Sequence, residues 1–155
     1  MTRAEFIRRY GDLFDHSPWI VERAAERLPM DDVHAGLMAI VFEASAEEQL
    51  ALIRAHPELA GSAALAGELT AASASEQKSA GLHQLDREQL ARFRKLNADY
   101  RDRFGFPFII CVRLTTAAGI LSAIEHRLGN ARDQELATAL VQIGEIVRLR
   151  LEDLP

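Results

Sequence analysis

What most constrains this chain is the punctuation of its helices. Thr2-Arg-Ala-Glu5, Ser45-Ala-Glu-Glu48 and Asp86-Arg-Glu-Gln89 each set a short oxygen-bearing side chain three residues before a Glu or Gln. Such capping boxes satisfy amides that a helix start leaves without partners. Ser17-Pro18 adds another start, with serine as cap and proline at the first helical position, where a missing N–H is harmless. Asp32 opens a helix that runs to Phe42. Stops are as plain: Gly11 weakens the first helix, Pro29 closes one near Leu28, Pro57 forces an end near His56, and Gly105 ends one near Arg103. Between start and stop, apolar residues recur at helical spacing, as in Leu90, Phe93, Leu96 and Tyr100. Helices also fit residues 116–128 and 133–151. The prediction is an all-α fold, one compact domain over residues 1–155, with about seven or eight helices.

Two stretches break the pattern. Residues 57–85 are rich in Ala, Gly and Ser and read as a long connection, a feature that inside compact domains usually carries function. Residues 106–112, Phe-Pro-Phe-Ile-Ile-Cys-Val, are β-rich in composition yet too short and isolated to imply a sheet.

Charge and cysteine usage narrow the partners. A net charge of −5 argues against a general nucleic-acid binder, while leaving room for a local basic pocket. Cys111 is the only cysteine, which excludes an internal disulfide and a cysteine-based zinc cluster and points to a reducing compartment. The longest uncharged apolar run, 106–112, is far short of the about 20 residues that span a membrane. The first residues mix charges into every turn, unlike a signal peptide, and Leu151-Glu-Asp-Leu-Pro155 is not a peroxisomal signal. The expectation is a soluble cytoplasmic protein that engages no membrane. His16, His34, His83 and His126 lack metal-ligand spacing, so no metal is expected, and no phosphate-binding glycine loop occurs.

Several residues carry chemistry with a plainer reading beside it. His56 sits where a helix must end, and the partial negative charge there favours a protonated imidazole. A nearby carboxylate would raise its pKa further, making it a proton donor, or it simply caps its helix. Ser73 and Glu76 form a capping-box pattern. The side chains of 106–112 read as core, but a buried non-helical backbone must place its polar groups somewhere. In the last helix, Leu136, Leu140, Ile143 and Val147 form an apolar stripe whose next step is Arg150. An inward arginine needs an anion: either a structural acid such as Glu22 or Glu43, or a substrate carboxylate gripped by two hydrogen bonds. Arg148 falls on another, solvated face. Trp19 reads as core, with substrate contact as the alternative.

A set of strings in this chain resembles the decarboxylases of 2-oxo-4-hydroxy-4-carboxy-5-ureidoimidazoline (OHCU). They are Ser17-Pro-Trp19, Leu52-Ile-Arg-Ala-His-Pro-Glu-Leu-Ala-Gly61, Leu69-Thr70, Ser73-Ala-Ser-Glu-Gln77, Ala80-Gly-Leu82, Leu96-Asn97, Tyr100-Arg101 and Arg103-Phe-Gly-Phe-Pro-Phe-Ile-Ile-Cys-Val-Arg113. The resemblance implies cofactor-independent conversion of OHCU to (S)-allantoin and CO2, the last step from urate to allantoin, by a homodimer. It further implies His56 and Glu76 as catalytic residues, with Glu76 against His56 or a substrate hydroxyl. It places Pro57, Ser73, Ala74, Ser75, Glu76 and Gln77 along the substrate, the Gln77 amide facing the ureido group. The backbone of Phe108, Ile109, Ile110, Cys111 and Val112 would hold the ring amides, and Arg150 would orient the carboxylate. Two alternatives stand beside it: a helical protein-interaction module whose groove is formed by 57–85 and 106–112, and a lyase or hydrolase acting on another ureido compound.

Overall fold

The computed structural model of the chain describes residues 1–61 and 67–155. Among the described residues there are eight α-helices and no strand: α1 (Arg3–Tyr10), α2 (Trp19–Ala25), α3 (Val33–Glu43), α4 (Ala46–Arg54), α5 (Ala71–Ser79), α6 (Arg87–Phe104), α7 (Ala117–Arg127) and α8 (Arg132–Asp153). Single 3-10 turns lie at Leu82–Gln84 and Val112–Leu114.

The helix starts form where the local chemistry dictates. Thr2, Ser45 and Asp86 each complete a capping box, and Asp32 caps α3 by accepting from the Ala35 N–H. Gly105 ends α6 in the left-handed region at φ 81°, a conformation glycine adopts without a Cβ penalty.

Three expected boundaries shift. Ser17 makes no cap: it is buried, α2 starts at Trp19 with Pro18 at the cap position, and the helix ends at Ala25 rather than near Leu28. Within 57–85, nine residues form α5, opened by a side-chain cap and held by packing against the turns at 82–84 and 112–114, since so short a helix is marginal alone. That cap is Thr70, which accepts from the Ser73 N–H, so Ser73 lies inside the helix and the Ser73–Glu76 capping box does not form. Part of the expected connection, residues 62–66, lies outside the described residues. Finally, α8 starts at Arg132 with no side-chain cap.

The buried side chains form one contiguous core. The 22-residue α8 packs against α3 and α4, with Ile143 and Ala139 fully enclosed. Tyr100, Phe104, Phe106 and Phe108 form an aromatic cluster beside it, the Tyr100 and Phe108 rings 5.3 Å apart and nearly perpendicular, an arrangement that pairs ring edge with ring face. This packing leaves the C-terminal end of α4, one face of α5, the 108–112 segment and the last turns of α8 converging on one hollow. Arg150 enters that hollow as the stripe predicts and is buried, while Arg148 pairs with Glu145 and Glu152 on the solvated side.

Candidate active site

The hollow is a partly enclosed cavity lined by His56, Pro57, Ser73, Glu76, Gln77, Phe108, Ile109, Ile110, Cys111, Val112 and Arg150, together with Leu59, Arg113 and Ile146. Residues almost a hundred positions apart thus meet. Ala74 and Ser75 do not join them. On α5, positions 73, 76 and 77 share a face by their three- and four-residue spacing, which turns 74 and 75 away. Ala74 faces a separate hollow with Ala60 and Leu82, and Ser75 faces another with Arg9 and Asp153. Trp19 packs on the core with the Arg23 guanidinium over its ring, outside the cavity lining.

Arg150 organises the polar wall. Its Nε and Nη2 grip both oxygens of Glu76 at 2.8 and 2.7 Å. Nη1 donates to Asp15 at 2.9 Å and to the Leu13 carbonyl at 3.0 Å, and Nη2 also donates to the Ser73 hydroxyl at 3.3 Å. A guanidinium has five N–H donors, and here all five are engaged. The structural acids are therefore Asp15 and Glu76. Glu22 is exposed and Glu43 pairs with Arg27. Burial opposes the charge on Arg150, but the Glu76 hydrogen bonds and the Asp15 charge outweigh it and hold the pKa above the ordinary value. Asp15 is itself buried and accepts from Ser73 and Thr70. Burial disfavours its charge, yet Arg150 and the Ser73 hydroxyl overcome that and keep its carboxyl below the usual range.

His56 departs from expectation. Its Nδ1 lies 3.1 Å from the Leu52 carbonyl, an acceptor, so Nδ1 carries the hydrogen and the neutral ring leaves Nε2 bare. Glu76 makes no hydrogen bond with it; that carboxylate is spent on Arg150. Burial lowers the His56 pKa below its ordinary value, and the opposing pull of Asp15, the Leu52 carbonyl and Glu76 does not restore it. The helix end does favour the imidazolium, but desolvation is the larger effect. The resting imidazole is neutral.

That state has a stability consequence. Below the ordinary histidine pKa, about 6.5, the unfolded chain takes up a proton that the folded one refuses, so wild-type stability falls with pH until the lowered native pKa is reached. We expect His56→Asn to lose this component: its melting temperature should gain on wild type as pH drops from 7 toward 5, as calorimetry across that range would show.

Gln77 is held by the loop beside His56. Its Oε1 accepts from the Ala60 N–H at 3.1 Å and its Nε2 donates to the Glu58 carbonyl at 3.4 Å, while Asn97 donates to the Leu59 carbonyl at 2.8 Å. Ala60 has φ 53°, a left-handed conformation that costs a non-glycine residue about 1–2 kcal/mol. Gln77 thus props a strained turn and keeps one amide hydrogen for the cavity. In the apolar segment, Ile109 O accepts from Arg127 and Cys111 N–H donates to Gln142. Among the described residues, no acceptor meets the N–H of Ile110 or Val112. Burial pushes the Cys111 thiol up, which leaves it protonated.

Two site residues escape sequence reasoning. Asp15 sits in a turn without periodicity; its only signal is an acid next to Leu13 and Phe14 in an apolar run. Arg113 lines the cavity while clasping Asp153 through both oxygens at 2.7 and 3.2 Å.

Comparison with known proteins follows the same lines. The family model described as OHCU decarboxylase matches residues 1–152. A curated relative from Haloferax volcanii, named 2-oxo-4-hydroxy-4-carboxy-5-ureidoimidazoline decarboxylase, is 39% identical over 151 residues, covering 96% of this chain and 88% of its own length. One of the same name from Mus musculus is 36% identical, covering 99% and 88%. A crystal structure of (S)-allantoin synthase superimposes with a TM-score of 0.76 at 30% identity, covering 97% of this chain and 50% of that one, so this chain spans half the length of that protein.

Proposed function

The chain belongs to the OHCU decarboxylase family, and from that premise we propose how its site works. The enzyme is a carbon–carbon lyase that converts OHCU to (S)-allantoin and CO2 in urate degradation. The observation that carries the mechanism is an imidazole with Nδ1 on the Leu52 carbonyl and Nε2 bare, lining one cavity with an arginine-locked carboxylate.

OHCU bears its hydroxyl and carboxylate on one ring carbon and the ureido group on the next. When CO2 leaves, the C–C electron pair becomes a ring C=C bond, and the adjacent C=N pair moves onto nitrogen. No external electron sink is required. The hydroxyl proton passes to His56 Nε2, whose imidazolium is favoured by the Asp15 and Glu76 charges. His56 then returns the proton to the ureido-bearing carbon from one face while the ketone forms. A second proton, from water, neutralises the ring nitrogen, so one proton is consumed per turnover. His56 acts first as base and then as acid.

Glu76, fixed at both oxygens by Arg150, accepts from the N–H groups of the ureido edge and so holds the substrate in place for that transfer. The N–H groups of Ile110 and Val112 and the free Gln77 amide hydrogen pair with ring and ureido carbonyls. Arg150 holds Glu76 rather than the leaving carboxylate, because its donors are already spent. A firm grip on that carboxylate would stabilise the ground state and slow its loss. We place this chemistry in a cytoplasmic homodimer. The polar groups converging on a cavity favour catalysis over a peptide groove.

The test uses freshly generated OHCU, which also decays spontaneously. With enzyme present, circular dichroism should show an excess of (S)-allantoin. A racemic product at an unaccelerated rate would refute the function.

A further inference from the structure

The cavity wall at 108–112 is gripped from behind by a buried ionic cluster that itself lines no part of the cavity. Arg127, from the last turn of α7, donates through Nε to Glu135 at 2.8 Å and through Nη1 to the Ile109 carbonyl at 2.8 Å. The Cζ of its guanidinium lies over the Phe108 ring, 4.2 Å from the centroid. Glu135 is fully buried and also accepts from the Tyr100 hydroxyl at 2.5 Å and from Asn130 at 2.9 Å.

A buried ion pair adds little net stability, since apolar side chains of similar volume often do as well. What apolar packing cannot supply is a planar fork that fixes one carbonyl and one ring at once. On the other flank, Gln142 accepts from the Cys111 N–H at 2.9 Å. The two clamps bracket Ile110, whose N–H meets no acceptor among the described residues. We propose that Arg127, held by Glu135 and Tyr100, is a positioning residue that sets the backbone of residues 108–112 for the amide and urea edges of the substrate. This rests on the reading that this backbone binds substrate.

Two variants separate positioning from folding. Arg127→Lys keeps the charge for Glu135 but has no plane to cover Phe108 while reaching Ile109. The double variant Arg127→Met with Glu135→Gln removes both charges and leaves no orphan ion. In whichever folds to the wild-type circular dichroism spectrum, KM should rise about tenfold or more with kcat within about threefold of wild type, the pattern of lost binding without lost chemistry. The pH dependence of kcat should not move. A folded variant with wild-type KM, or one that loses kcat alone, overturns the proposal. Titrating 15N-labelled protein with (S)-allantoin distinguishes the underlying reading. If the wild-type Ile110 and Val112 amides do not shift, the backbone does not bind ligand and the inference falls with it. If they shift equally in wild type and variant at unchanged KM, the inference alone is wrong.

Discussion

Replacing His56 by Asn should lower kcat by roughly 10²–10⁴, the usual contribution of a positioned proton-transfer group, and abolish the optical purity of the allantoin. Asn is the informative substitution because its amide can still donate to the Leu52 carbonyl, as Nδ1 does now, so the turn before Pro57 keeps its hydrogen bond. What Asn lacks is a site that takes a proton and gives it back. The substrate would still bind and lose CO2 at a slow, spontaneous rate. Its carbanion equivalent would then be protonated by water from either face, and product dichroism would fade toward zero. The neutral resting state adds a second expectation. Because burial holds the His56 pKa below the ordinary histidine value, wild-type activity should persist through mildly acidic pH and fall only where Nε2 becomes protonated. A variant with near-native kcat and enantiomeric excess would move the proton carrier elsewhere, with Glu76 the remaining candidate.

The sequence was legible where a feature is local. The capping boxes at Thr2, Ser45 and Asp86 are closed by residues three positions away, so string and structure agree. The inward turn of Arg150 could be read from the stripe in its own helix. Ser73 shows where local reading divides: Thr70 and Ser73 are one turn apart and both offer a cap, and only packing decides that Ser73 goes inside, against Asp15. That same decision turned Ala74 and Ser75 off the cavity. At His56 the local signal misleads for a related reason. The helix end is a local signal, whereas the burial that outweighs it comes from the aggregate of distant elements. The partners of Arg150 were illegible because Asp15 is 135 residues away in an aperiodic turn.

Arg150→Met should be the most destabilising single change in the site. It leaves Asp15 buried beside Ser73 with its cation gone, and breaking a buried pair from one side typically costs about 3–5 kcal/mol. For a chain of this size that is a fall in melting temperature of roughly 10 °C or more. Lysine is no remedy, since three donors on a point charge cannot replace five in a fixed fork. Adding Asp15→Asn to Arg150→Met removes the orphaned carboxylate, and most of the lost stability should return. Activity should not. Glu76 would still lack the two hydrogen bonds that fix both of its oxygens, leaving it free to rotate away from the substrate and to bring an uncompensated negative charge toward the departing carboxylate. The double variant therefore separates the two duties of one guanidinium, with melting temperature reporting the Asp15 side and kcat the Glu76 side. Full kcat in a restabilised double variant would make Arg150 a folding residue alone, and the orientation of Glu76 would then have to come from the substrate itself.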